Sequence, residues 1–319
     1  MQTIQQEIDE RTNLTSSNKL ELLLFRLGDD ANLDRSELFG INVFKIREII
    51  PMPAITAVAG SPAHMMGVVD LRGQIIPVIN LPAIAGCTPR TGLNILLITE
   101  YARSTQAFAV ESVEDIVRLD WRQVLSAEGN AAGGMVTSLA RLDGDNSDRL
   151  AQVLDVETIL RQAMPSSEPA IDPANIGPAV DIKPGTVILA ADDSVIARTM
   201  IEQGLEAMGL PYLMCKTGKE AWDQLQAISA KAQDEGKSVH DRIALVLTDL
   251  EMPEMDGFTL TRNIKQDPRF SSIPVVIHSS LTGSTNEAHV KKVGADAYVA
   301  KFVAEDLADA LRHALAKVH

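Results

Sequence analysis

From residue 186 onward the chain alternates between two hydrophobic periods. Residues 186–191 (TVILAA) form a short unbroken apolar run, the pattern of a strand buried on both faces. In 194–208 the apolar residues Val195, Ile196, Met200, Ile201, Leu205 and Met208 recur at helical spacing. The same alternation continues with expected strands at 212–216, 243–248 (IALVLT), 274–279 (PVVIHS) and 296–300 (DAYVA). Helices are expected at 219–235, 257–266, 287–293 and 304–318. Strands alternating with helices predict an α/β doubly wound domain, a five-stranded parallel sheet covered on both faces.

Upstream the texture changes. Segments 20–27, 68–71, 74–80, 93–99, 107–111 and 150–154 read as short strands, with a terminal helix at 156–164. VVDL-RG-QIIPVIN reads as a hairpin turned at Arg72-Gly73, Gly73 supplying the unusual dihedral. Pro77 in its second arm predicts an edge or bulged position. Many short strands with glycine-bearing turns predict an all-β barrel or sandwich. Residues 127–134 (AEGNAAGG) and 143–148 read as solvated loops.

Between the two textures, 164–185 holds Pro165, Pro169, Pro173, Pro178 and Pro184 with almost no periodic apolar pattern, as a semi-extended linker does. The expected organisation is a polar segment at 1–18, a β-rich domain at 19–164, a linker at 165–185 and an α/β domain at 186–319. A length of 319 residues suits two such domains, and 45% hydrophobic with 23% charged residues is ordinary globular composition. No apolar run approaches the roughly 20 residues of a membrane-spanning helix. Residues 1–18 lack a basic segment followed by an apolar one, so no secretion signal is read and the cytoplasm is expected. Cys87 and Cys215 fall in separate domains without metal-ligand spacing, as reduced thiols would. The net charge is −14, of which −5 belongs to 186–319 (14 basic residues against 19 acidic). Neither part carries the basic footprint of a nucleic-acid binder.

The candidate chemistry lies at the carboxyl ends of the C-terminal strands, where doubly wound sheets form their sites. Asp192 and Asp193 follow the first strand, Asp249 the third, Ser279 ends the fourth, and Lys301 follows the fifth. Taken singly, each acidic residue could be a solvated charge or a helix cap, since Asp is a favoured N-cap. Together, three carboxylates on one rim repel one another unless a cation neutralises them, and a hard divalent ion with oxygen ligands does so. A lysine facing that ion can balance an incoming phosphoryl group. His278, next to last in an apolar strand, reads as a packing residue.

These residues resemble the response-regulator receiver family over essentially all of 186–319: ADDS at 191–194, LTDLEMPEMDG at 247–257, PVVIHSS at 274–280 and DAYVAK at 296–301. The resemblance implies that Asp249 is the phosphoacceptor and that Asp193, Asp249 and the backbone carbonyl of Glu251 ligate Mg²⁺, with Asp192 acting largely through water. It further implies that Ser279 and Tyr298 are switch residues and that Lys301 pairs with the phosphoryl group. The chain departs from the family at Phe302, where proline ordinarily follows the lysine. A cis bond costs a non-proline residue about 2.5–4 kcal/mol, so the local geometry after Lys301 stays open. A haloacid-dehalogenase-type phosphatase, which also uses a strand-end aspartate, wants a second Asp where this chain has Glu251.

The N-terminal domain shows no catalytic constellation. Its segments GVVDLRGQIIPVINL (67–81), LFGINVFKIREII (38–50), AFAVESVEDIVRL (107–119) and DRLAQVLDVETIL (148–160) resemble the CheW-type coupling family. That resemblance implies two small five-stranded barrels that dock chemoreceptors and a chemotaxis histidine kinase, with Arg72 and Glu48 at the coupling surface. As a bland alternative, those two form a structural ion pair steadying the hairpin. A coupling domain followed by a receiver is the organisation of CheV-type chemotaxis proteins. It implies a non-enzymatic adaptor at membrane-associated receptor arrays, without membrane insertion or nucleic acid, whose coupling is adjusted by phosphorylation. The rivals are a phosphate sink for the kinase and, from another class, a phosphatase.

Overall fold

Strand and helix alternation after residue 186 produces a parallel sheet of Val187–Ala191, Tyr212–Cys215, Ile243–Thr248, Val275–Ser279 and Ala297–Ala300, in the order second, first, third, fourth, fifth. The structure, a computed structural model, describes residues 19–30, 36–101, 104–127, 134–144, 149–164, 177, 180–279, 290, 292–301 and 304–316. The segment 1–18, most of the expected linker and of the expected helix at 287–293, parts of the two expected loops, and Phe302 lie outside them. The described residues form two compact units, one ending at Met164 and the other beginning at Gly177.

In the C-terminal unit, successive strand residues face opposite layers. Leu189, Ala191, Val246 and Val275 pack with Ala221 and Leu225 of helix Gly218–Asp234 and Leu260 and Ile264 of helix Gly257–Gln266. Ile188, Ala190, Leu245, Leu247 and Val276 pack instead with Ile201 and Leu205 of helix Val195–Ala207 and Leu307 and Leu311 of helix Ala304–Ala316. Burial on both faces explains why Ile243–Thr248 reads as nearly continuous hydrophobe. Each fully buried aliphatic side chain contributes about 1.5–3 kcal/mol. Ser194, Thr217 and Asp256 start their helices by accepting from the N–H of Ala197, Glu220 and Thr259. The chain reverses direction of travel through the sheet between its first and third strands, which places a crevice at their carboxyl ends.

The N-terminal unit holds two larger sheets. One runs in the order Ser112–Leu119, Leu20–Arg26, Phe39–Asn42, Leu150–Leu154, Val136–Arg141, Val124–Ser126. The other runs Ile46–Pro51, Ile95–Tyr101, Ser104–Val110, Gln74–Asn80, Met65–Leu71. The resemblance implies two five-stranded barrels; among the described residues the second sheet has five strands, and the count is corrected for the first, which has six. Its extra member, Val124–Ser126, is three residues long, too short to show a period in the sequence.

Leu71 pairs with Gln74 across the Arg72-Gly73 turn. Both turn residues have positive φ, 56° and 85°, as a two-residue turn matched to the strand twist requires. Asp70 Oδ1 secures it by accepting from the Gly73 N–H at 2.8 Å. Pro77 is not at a sheet edge: Gln74–Asn80 lies between two strands, and the bulge falls opposite, between Met65 and Gly67. Proline is accommodated because pairing with Ser104–Val110 begins only at Val78. Helix Val156–Ala163, capped by Asp155, buries Val156, Ile159, Leu160 and Ala163 in the core. Its last carbonyl, of Ala163, accepts from His64 Nε2 at 2.8 Å.

Candidate functional site

Two strand ends bring the acidic residues together. Asp192 leaves the first strand with its N–H bonded to the Cys215 carbonyl at 3.2 Å, and Asp249 leaves the third with its N–H on the Ala191 carbonyl at 2.9 Å. Asp192 Oδ1 accepts from the Ser194 N–H at 3.0 Å. The result is a rim on which carboxylate oxygens of Asp192, Asp193 and Asp249 all lie within 4.8 Å of one another. Asp192 and Asp249 are buried, and Asp193 is the more open of the three.

Lys301 enters from the end of the fifth strand. Its ammonium lies 2.8 Å from Asp192 Oδ2 and 3.2 Å from Asp249 Oδ2, with the side chain 1% exposed. Removing either carboxylate partner of a buried ammonium would leave an uncompensated charge inside the protein. By formal charge, three carboxylates against one ammonium leave two negative charges on the rim. The donor set is entirely oxygen and its excess charge matches a hard divalent cation, so these residues fit one.

Gly257 shapes the same corner. Its N–H donates to the Leu250 carbonyl at 2.9 Å, and a Cβ added there would stand 1.9 Å from the Asp249 carbonyl oxygen. Glu251 is half-buried in the intervening turn, where Glu254 adopts φ 66°. Asp256 caps the next helix, and burial pushes its carboxyl above the ordinary carboxylate range.

Ser279 is buried at the end of the fourth strand, and its carbonyl accepts from the Lys301 N–H at 2.9 Å. Tyr298 is half-buried on the fifth strand, paired in register with Ile277. His278 is buried beside this pocket, and its Nδ1 has no hydrogen-bond partner among the described residues. Burial foremost, and then the Lys301 charge, push its pKa down to about 3, so the ring is neutral at pH 7. That suits its expected packing role. Arg198, to which the sequence reading attached nothing, donates from Nη1 to the carbonyls of both Asp192 (2.9 Å) and Asp193 (2.7 Å). Its sequence signal is a cation in the first turns of a helix that follows an acidic pair, where the helix dipole disfavours positive charge.

In the N-terminal unit the structure pairs Arg72 with Glu48: Nη2 donates to Oε1 at 2.7 Å. The Arg72 side chain is 73% exposed at the hairpin tip, while that of Glu48 is 19% exposed. An ion pair so open to solvent contributes about 0–1 kcal/mol.

The CheW-like domain family matches residues 21–164, and the response regulator receiver domain family matches 188–312. Chemotaxis protein CheV2 of Helicobacter pylori is 29% identical over 311 residues, covering 92% of this chain and 94% of the relative. CheV3 of the same organism is 29% identical over 317 residues, covering 97% and 99%. CheV1 is 27% identical over 321 residues, covering 94% of each chain. The chain belongs to the CheV type. In this CheV-type chain the acidic rim and buried lysine lie in the receiver domain, and the Arg72 hairpin lies in the CheW-like domain. No helix among the described residues is long and apolar enough to cross a membrane.

Proposed function

We propose that this chain couples chemoreceptors to a chemotaxis histidine kinase, and that phosphorylation of Asp249 adjusts the coupling. One observation carries the reading: a CheW-like domain shares a chain with a receiver domain whose acidic rim and pairing lysine are both assembled. The relatives named as CheV proteins, matched over nearly their full lengths, support it. On this reading the protein works in the cytoplasm at receptor arrays, and each large sheet of the coupling unit curls into a small barrel.

The chemistry follows from the charges. An Asp249 carboxylate oxygen bonds to phosphorus as the P–N bond to the kinase histidine breaks, and the imidazole leaves with that bond's electron pair. The cation assigned to the rim is Mg²⁺, held by Asp193, Asp249 and the Glu251 carbonyl with Asp192 as an outer partner. Bound there, it supplies positive charge to the phosphoryl oxygens. Lys301, 3.2 Å from Asp249, exchanges part of that contact for the new phosphoryl oxygens. The Ser279 hydroxyl donates to the same group, Tyr298 moves with it, and the fourth strand and last helix shift between two populations. Arg72 and Glu48 present the docking surface that this shift regulates.

Kinase activity in reconstituted receptor arrays tests the proposal. Phosphorylated wild type should change kinase output relative to unphosphorylated protein, and Asp249→Ala should respond to neither condition. Equal output in all cases, with wild type still draining phosphate from the kinase, would establish a phosphate sink instead.

A further inference from the structure

We infer that Arg198 is the positioning residue for the acidic pair, and that its guanidinium sets the cation affinity of the receiver domain. The inference rests on the proposed cation site and concerns how that site is built.

Asp192 and Asp193 are consecutive, and in an extended strand consecutive side chains point to opposite faces. Yet both place a carboxylate oxygen within 4.8 Å of Asp249 and of each other. The backbone must therefore turn between them and be held in that turn against the repulsion of three carboxylates. Asp192 is already secured at two atoms, by its N–H on the Cys215 carbonyl and by Oδ1 on the Ser194 N–H.

Arg198 provides the further restraint. It sits on helix Val195–Ala207, one turn after the Ser194 cap, with its own N–H on the Ser194 carbonyl at 3.0 Å. Its side chain reaches back so that one nitrogen, Nη1, serves the carbonyls of Asp192 at 2.9 Å and Asp193 at 2.7 Å. A single donor nitrogen shared by successive carbonyls forces both peptide oxygens to one side. Hydrogen bonds from a charged donor are roughly twice as strong as neutral ones. The half-buried guanidinium also relieves repulsion among the carboxylates, but its charge opposes a second cation, so the gain in affinity comes from the fixed carbonyl geometry. The relieved repulsion offsets the unfavourable place of a cation near a helix N-terminus. Lysine offers a mobile point charge in place of a fixed planar fork, so it keeps the charge while loosening the restraint.

Three full-length variants test this by titration calorimetry with magnesium chloride, beside thermal melts in EDTA. Arg198→Ala should weaken Mg²⁺ binding about tenfold, a loss of ~1.4 kcal/mol. Arg198→Lys should fall between alanine and wild type. The Mg²⁺ concentration for half-maximal phosphorylation of Asp249 should rise by the same factors, with a much smaller change in the plateau rate. A merely structural arginine would instead lower the melting temperature in EDTA and the plateau, leaving the half-maximal Mg²⁺ in place. Unaltered Mg²⁺ affinity in Arg198→Ala overturns the inference. Lysine binding Mg²⁺ as tightly as arginine overturns the bridging geometry and the inference with it, because positive charge alone would oppose a second cation. Should alanine fail to fold, the lysine comparison still decides. Asp193→Ala is the control: if wild type and this variant both ignore Mg²⁺, the cation-site reading itself has failed.

Discussion

His278 sits on the fourth strand with both of its neighbours, Ile277 and Ser279, buried. Its ring is held neutral down to about pH 3 in the folded protein, against an ordinary value of 6.5. Because the folded value is depressed, the unfolded chain binds the extra proton between those limits. This contribution to stability is complete above about pH 6.5 and is lost as pH falls toward 3, by about 1.4 kcal/mol per pH unit. Urea midpoints from pH 7 to pH 4 should fall less steeply in His278→Leu than in wild type. Equal slopes would show that the histidine does not titrate in this window. Gly257 makes a second residue-scale test. An added Cβ meets the Asp249 carbonyl oxygen at 1.9 Å, a backbone atom, so the chain itself would have to shift. Gly257→Ala should cost the receiver domain on the order of 1–3 kcal/mol as overpacking does, and should slow phosphorylation of Asp249, measured by transfer from the phosphorylated kinase. Wild-type stability and transfer rate would show that the turn has slack.

Elements with an unbroken or regular pattern were legible in the sequence. Ile243–Thr248, Gln74–Asn80, Leu150–Leu154 and Gly257–Gln266 match the expected ranges end to end. Those that escaped have mixed faces or little length: Ser112–Leu119 interleaves exposed and half-buried positions, and Val124–Ser126 spans three residues. Much of the candidate site was legible for a related reason. Carboxylates at strand ends have few other reasons to share one rim, whereas a backbone-bonding arginine such as Arg198 announces itself only once its carbonyl partners are visible. The hairpin at Arg72 carries the prediction at this scale. Arg72→Glu reverses a side chain that is 73% exposed and repels Glu48, so receptor or kinase docking should weaken in pull-down from arrays. The melting temperature should change little, because surface substitutions usually stay within about 0.5 kcal/mol. A large loss of stability with intact docking would make the pair a structural brace instead.

For the whole molecule, a ligand that binds only the folded state stabilises it by mass action. Mg²⁺ should therefore raise the melting temperature of the transition belonging to the receiver domain and leave that of the CheW-like domain unmoved, as two separate cores allow. Asp193→Ala should remove most of that rise, and differential scanning calorimetry with and without Mg²⁺ would reveal a misplaced cation by an undiminished response. The two units also differ in when they can be completed during synthesis. In the receiver domain the first strand finds its neighbours soon after it is made, since Leu189 pairs with Leu213 and Val246. In the CheW-like domain, Leu20–Arg26 lies inside the six-stranded sheet, and one of its two partners, Ser112–Leu119, comes roughly a hundred residues later. At a translation rate of about 5–20 residues per second, that leaves an apolar strand waiting for about 5–20 s beside the ribosome. Through this interval LELLLFR has only Phe39–Asn42 of its two sheet partners, which leaves one apolar strand edge open to pairing with other chains.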